Sequence, residues 1–135
     1  MTSALTPSAF IAVAIGAVLG AWARWLLSLA LNSAWSAVPL GTLIANVVGG
    51  YMVGMAVAYF ASVPTLAPEW RLFAITGFLG ALTTFSTFSA ESMNLLQAEQ
   101  HGAALLHSAF HLLGSLAATF AGFATVRALL RVVAG

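Results

Sequence analysis

The segment Gly77–Glu91, GFLGALTTFSTFSAE, concentrates hydrogen-bonding groups in a chain that is otherwise rich in hydrocarbon side chains. Five hydroxyl residues fall within seven positions, and a carboxylate follows them; the hydroxyl residues are Thr83, Thr84, Ser86, Thr87 and Ser89. Each such group is costly in a membrane interior unless it has a hydrogen-bonding partner. The segment therefore predicts a polar pathway.

Two pairs of residues in the same segment predict how its backbone runs. Gly77 and Gly80 lower the helix preference, and Phe85 and Phe88 are three apart, so that on a helix their rings project from nearly one side. We expect the helix to break just before the rings. Carbonyl groups freed by a break are tolerated at membrane depth only where they meet protein, water or an ion.

A simpler interpretation of the hydroxyls is that each bonds back to a carbonyl of the preceding turn while the phenylalanines only pack. For any single hydroxyl this interpretation is favoured. For five together, beside two glycines, the polar pathway is favoured.

Composition indicates an integral, multi-pass membrane protein, which we expect in the cell inner (plasma) membrane. Of 135 residues, 61% are hydrophobic and only seven are formally charged. Four apolar segments of about 20 residues are each long enough to cross a bilayer core of ~30 Å. The prediction is an all-α membrane protein, a single four-span domain over residues 1–135, with the third helix broken near its middle and spans at 8–31, 40–61, 70–96 and 103–130.

Several function classes are excluded by residues that the chain lacks. It has no Cys and no Asp, which removes thiol catalysis, thiolate metal sites and aspartyl chemistry, and we expect no enzyme. The net charge of +1 offers no basic patch for nucleic acid. Met1–Phe10 carries no positive charge, so the first apolar segment is expected to remain as a span.

Polar residues in the other spans are candidates for the same pathway. Arg24 lies ~10 Å inside the end of the first span, where it could snorkel between two tryptophans or form an anion-attracting vestibule. Asn46 lies one third of the way into the second span, as glue between helices or as part of a lined cavity. In the fourth span, polar residues recur every four positions and so share a helix face: His107, His111, Ser115 and Thr119.

The arginines give little preference for one orientation. Three of them are expected on the side of the termini, against Arg24 alone near the other side. Insertion in both directions is therefore physically open.

GTLIAN in the second span and GFLGALTTFSTFSAE in the third closely resemble the Fluc (CrcB) fluoride channel family, and the likeness covers essentially the whole chain. The resemblance implies an antiparallel, dual-topology homodimer with two pores and a structural sodium ion at its centre. Phe85 and Phe88 resemble the phenylalanines that line the anion path, and Asn46 the pore asparagine. Gly80 and Thr83 fall where members of the family offer backbone carbonyls to sodium.

The implied function is passive, fluoride-selective export across the membrane. Asn46 and the hydroxyls of Thr84, Ser86 and Thr87 would replace the water of fluoride, and the phenylalanine ring edges would assist. By spacing alone, the polar track of the fourth span would fall on His107, His111 and Ser115, with Arg24 at the mouth.

The alternative is a small, proton-coupled transporter of the multidrug type, which also has four short spans. Such carriers need an acidic residue in the first span, and the only charged residue in this first span is Arg24.

Overall fold

The computed structural model describes residues 6–35 and 38–134, and it is helical throughout these ranges apart from short connections. The ends of the predicted domain 1–135 and part of its first loop lie outside the described residues. In chain order the elements are α1 (Pro7–Leu31), α2 (Leu40–Ser62), α3 (Pro68–Arg71), a π-helix (Leu72–Leu79), α4 (Gly80–Leu82), α5 (Phe85–Gln97) and α6 (His101–Ala134).

Four stretches are long and apolar enough to cross a membrane, which confirms the prediction of four apolar helices: Pro7–Leu31, Leu40–Ser62, Pro68–Gln97 and His101–Val133. Large hydrophobic side chains cover the outside of the chain, and few of them are buried. This distribution suits a molecule whose surroundings are lipid rather than water.

The connection between α1 and α2 is organised by Asn32, which follows the last residue of α1. Its backbone N–H donates to the carbonyl of Ser28, 3.1 Å away, which closes α1. Its side-chain oxygen accepts the backbone N–H of Thr42 at 3.1 Å and so satisfies a free donor in the first turn of α2. One side chain thus joins two spans at the same membrane face.

The third span, Pro68–Gln97, is the irregular one. It begins as α3 and widens into the eight-residue π-helix, and after α4 the backbone is extended at Thr83 (ψ 151°) and Thr84 (ψ 123°). The predicted break just before the phenylalanine rings is confirmed. The π-helix was not predicted. π-helical turns are rare in proteins, and those that occur are often found at functional sites.

Glycines bring the spans together in two pairs. α1 packs mainly on the π-helix, where a Cβ added to Gly16 would meet the backbone of Phe73 and Phe78. α2 packs mainly on α6, where a Cβ on Gly54 would collide with the backbone carbonyl of Thr119. Backbones can approach this closely only where both helices present small residues. The break in the third span lies where the two pairs meet.

Candidate functional site

Thr84 redirects the backbone at the break and starts α5. Its side-chain oxygen accepts the backbone N–H of Thr87 at 3.1 Å, so Thr84 is the N-cap of α5. Its hydroxyl donates to the hydroxyl of Thr87 at 3.0 Å, and the hydroxyl of Ser86 lies 3.2 Å away. The Thr84 hydroxyl is therefore engaged, whereas the proton of the Thr87 hydroxyl has no acceptor among the residues that the structure describes.

Asn46 of α2 holds the broken backbone through both ends of its amide. Its Oδ1 accepts the N–H of Thr84 at 2.7 Å, and its Nδ2 donates to the carbonyl of Thr84 at 3.0 Å. The same Nδ2 lies 3.0 Å from Nδ1 of His111 on α6. Asn46 thus joins α2, the break and α6, and both of its N–H donors are occupied.

The contacts of Asn46 decide which nitrogen of His111 carries the proton. Because the backbone of Thr84 fixes which end of the amide is nitrogen, Asn46 offers an N–H to Nδ1 of His111, and Nδ1 must accept. In the neutral ring the proton then lies on Nε2. That nitrogen is buried and has no hydrogen-bonding partner among the described residues. His111 therefore offers a buried donor that its own chain does not satisfy.

Phe88 and the two histidines form a compact group of rings. The Phe88 ring stacks on His107 with centroids 5.3 Å apart, and it lies 5.0 Å from the His111 ring. Phe85 lies 5.3 Å from Phe88 and is largely exposed on this chain, with 78% of its surface accessible. The two phenylalanines therefore differ, since Phe88 lies against the histidines and Phe85 projects outward.

This group is completed by Glu91, which closes the polar segment but was not predicted as a site residue, and by Thr42, which was not predicted either. Thr42 is fully buried, and its hydroxyl donates to Oε1 of Glu91 at 2.6 Å. The other carboxylate oxygen, Oε2, lies 3.7 Å from Nε2 of His107. Thr42 could have been predicted from its position four residues before Asn46, which places both on the same face of α2. Glu91 is likewise three residues after Phe88.

The carbonyl groups at the break lack their helical partners. The N–H of Thr84 would pair with the carbonyl of Gly80 in a continuous helix, but it is donated to Asn46. The N–H of Thr87 would pair with Thr83, but it is donated to the Thr84 side chain. Within the described part of the chain, the carbonyls of Gly80 and Thr83 thus lack the N–H groups that a continuous helix would give them.

Arg24 of α1 reaches the same break. Its Nε donates to the carbonyl of Ala81 at 3.0 Å, and the residue is half-buried, while Trp22 and Trp25 are exposed on either side. The guanidinium group therefore satisfies one freed carbonyl directly. The guanidinium group also places its positive charge and its remaining N–H donors beside the break.

Several hydroxyls do bond back to their own helix, as the simpler interpretation expected. The hydroxyl of Thr83 donates to the carbonyl of Leu79 at 2.9 Å, and that of Ser89 to Phe85 at 2.9 Å. On α6, Thr119 donates to the carbonyl of Ser115 at 2.8 Å. These hydroxyls are satisfied within their own helices, so the polar character of the site rests on the remaining groups.

An open groove of about 820 Å³ runs along the break between α2 and α6. The described residues that line it include no Arg, Lys, Asp or Glu. Most of the residues predicted for the site line this groove: Asn46, Gly80, Thr83, Thr84, Phe85, Phe88, His111 and Ser115. Ser86, Thr87, His107 and Arg24 lie outside the lining.

A multi-pass helical membrane protein whose unpaired polar groups gather at one helix break belongs, by that arrangement, to the class of membrane transport proteins. The model of one family, described as "CrcB-like protein, Camphor Resistance (CrcB)", matches residues 11–123. The chain belongs to this family, and the resemblance found in the sequence is confirmed.

Proteins named fluoride-specific ion channel FluC are similar over most of their length. One from Cupriavidus metallidurans is 54% identical over 91% of this chain and 98% of its own. One from Pseudomonas putida is 54% identical over 85% of this chain and 91% of its own. One from Pseudomonas aeruginosa is 58% identical over 83% of this chain and 88% of its own.

Proposed function

We propose that this protein is a fluoride-selective channel that lets fluoride leave the cell passively across the plasma membrane. The observation that carries the proposal is the groove at the break, which combines ring edges and neutral hydrogen-bond donors, and none of the described residues in its lining is formally charged. Fluoride is small and strongly hydrated, so its water must be replaced, but a full positive charge in the narrow part would hold it too tightly for release. The related channels named above support the choice of ion.

The hydrogen-bond donors that we propose for fluoride differ in part from those expected from the sequence. Both N–H groups of Asn46 are occupied, so in this arrangement Asn46 does not donate to fluoride and instead positions Thr84 and His111. Among the described residues, the Nε2–H of His111 is a buried donor without a partner that faces the groove region, and the Thr87 hydroxyl is a second donor near the break. Phe85 and Phe88 supply the positive edges of their rings.

Arg24 acts at the entrance. Its charge lies beside the break but outside the lining of the groove, because its Nε is bound to the carbonyl of Ala81. A positive charge at this position raises the local concentration of anions without holding one in the narrow part. Arg24 thus has both a structural and an electrostatic role.

The assembly that suits this chain is an antiparallel homodimer. The open groove and the exposed Phe85 are what a second copy would cover, and the near-balanced arginines allow both orientations. A two-fold axis beside the break would bring the freed carbonyls of Gly80 and Thr83 from both chains to one point. Four such oxygens suit a sodium ion, which we propose as a structural cofactor.

The function is tested by efflux of single halides from liposomes that contain the purified protein. Fluoride should leave rapidly without a proton gradient, and chloride should be retained. Efflux of both ions at similar rates would contradict selectivity. Efflux that requires a proton gradient would favour the small multidrug-type transporter instead.

The orientation is tested by labelling a tag at the C-terminus of the protein in sealed membranes. In an antiparallel dimer the tag is reached from both faces by a reagent that cannot cross the bilayer. A tag that is labelled from one face only would contradict the antiparallel arrangement. A tag placed on a membrane protein of fixed orientation serves as the control for leakage.

A further inference from the structure

We propose that Glu91, His107 and His111 form a binding site for a transition-metal dication of the zinc type, and that its occupation blocks the channel. One ligand atom from each of the three side chains lies within 4.8 Å of the other two. His107 and His111 are buried, and Glu91 is half-buried. Nothing in the proposed fluoride pathway requires a metal at this position.

The unpaired atoms of the cluster are the main support for the site. Among the described residues, no hydrogen-bonding partner is found for Glu91 Oε2, for either nitrogen of His107, or for Nε2 of His111. Fully buried side chains normally satisfy such atoms, so His107, with no exposed surface, needs a ligand, water or ion. A single cation facing these atoms would satisfy three side chains at once.

The chemistry of the donors selects the metal. Two histidines four apart on one helix face, with a carboxylate nearby, are a ligand set that zinc uses in proteins. In a tetrahedral zinc site, neighbouring ligand atoms are about 3.4 Å apart, and Oε2 of Glu91 is already 3.7 Å from Nε2 of His107. Magnesium and calcium prefer oxygen ligands and are expected to bind poorly here.

His111 must change its proton for the metal to bind through Nε2. Its proton would move to Nδ1, which would then face the N–H of Asn46, so the hydrogen bond would be lost and the His111 ring would have to move away from Asn46. One neutral hydrogen bond contributes far less than a zinc–nitrogen bond, so the exchange favours the metal. It also removes the buried Nε2–H that we assign to fluoride.

Blocking follows from charge and position. The dication with one carboxylate leaves a net positive charge beside His111, which lines the groove. A fixed charge there would hold fluoride too tightly to leave. This second half of the proposal rests on the proposed channel function, whereas the binding itself does not.

Binding is tested directly on the purified full-length protein, without flux. Titration calorimetry with zinc chloride should show one site per chain, and cobalt chloride should give the visible absorption of a tetrahedral complex. Glu91→Gln and His107→Gln should each weaken zinc binding at least about tenfold. His101→Gln is the matched control, because His101 is exposed at the start of α6 and lies outside the cluster.

If His107→Gln does not fold, Glu91→Gln decides, since it keeps the shape and the contact with Thr42. Zinc that binds equally well to Glu91→Gln, or no saturable binding to the wild-type protein, would overturn the site. In liposomes, zinc should suppress fluoride efflux of the wild type and of His101→Gln at the affinity measured by titration, and magnesium should not. Saturable binding with unchanged fluoride efflux would overturn the block while leaving the site in place.

Discussion

Asn46 holds Thr84 by its backbone and not by its side chain, with one hydrogen bond of 2.7 Å to the N–H and one of 3.0 Å to the carbonyl. The side-chain amide of Asn46 thus pairs with both the N–H and the C=O of one residue, as a neighbouring strand does in a β-sheet. The chain can therefore leave the helix at membrane depth without an unsatisfied amide at that residue.

Asn46→Ala should lower both stability and fluoride efflux. It leaves the N–H of Thr84 without its partner, at a cost of about 1–3 kcal/mol, and it frees Nδ1 of His111. Thermal unfolding of the purified protein and fluoride efflux from liposomes measure the two effects. Asn94→Ala, at an exposed position of α5, is the control. Wild-type efflux in Asn46→Ala would show that the break forms without this clamp.

Replacing the phenylalanines by isoleucine separates ring electrostatics from bulk. Phe88→Ile should suppress efflux because it removes the ring that contacts His107 and His111, and Phe85→Ile should suppress it because it removes a ring edge from the groove. The proteins should still elute as the wild type does. Phe120→Ile, equally exposed on α6, is the control. Normal efflux in both groove variants would assign the rings to packing.

Gly54→Ala should destabilise the contact between α2 and α6. The added Cβ would overlap the backbone carbonyl of Thr119, and a backbone cannot move aside as a side chain can. We expect a loss of about 1–3 kcal/mol, seen as a lower midpoint of thermal unfolding. Gly102→Ala is the matched control, since outside its own helical turn no atom of the described residues lies within 4 Å of its added Cβ. Equal midpoints for the two variants would contradict the close packing.

If the proposed sodium site forms, sodium should stabilise the folded protein. The carbonyls of Gly80 and Thr83 lack their helical partners, and an ion that satisfies them binds only the folded state. At a sodium concentration 100 times its Kd, the gain is about 2.7 kcal/mol. Unfolding midpoints measured in sodium and in N-methylglucamine buffers of equal ionic strength show this gain. Unchanged unfolding midpoints, together with fluoride efflux that persists without sodium, would contradict the sodium site and indicate that water satisfies these carbonyls.

The break could be predicted from the sequence because its causes are local. Gly77, Gly80 and the hydroxyl run weaken the helix at one place, and the extended residues lie just before Phe85. The π-helix that precedes it packs closely against α1 at Gly16, a contact between residues that are far apart in the chain. No local pattern carries that information.

The site was predictable in its members but less so in their roles. Four-residue spacing turns about 40° per step around a helix, so a stripe drifts off its face. His111 and Ser115 therefore line the groove, whereas His107 lies outside its lining against Phe88 and Glu91. The contact between Thr42 and Glu91 joins residues 49 apart, and it follows only from the packing of the spans.

The glycine contacts that join the spans in pairs have a mechanical consequence. Each pair is stiff, because its backbones touch without side chains between them, so deformation of the molecule concentrates where the pairs meet. The hydrogen bonds from Asn46 to Thr84 cross that boundary and act as a latch. Lateral tension that draws the pairs apart would therefore load these hydrogen bonds together with the one between Thr42 and Glu91, which also joins the two pairs.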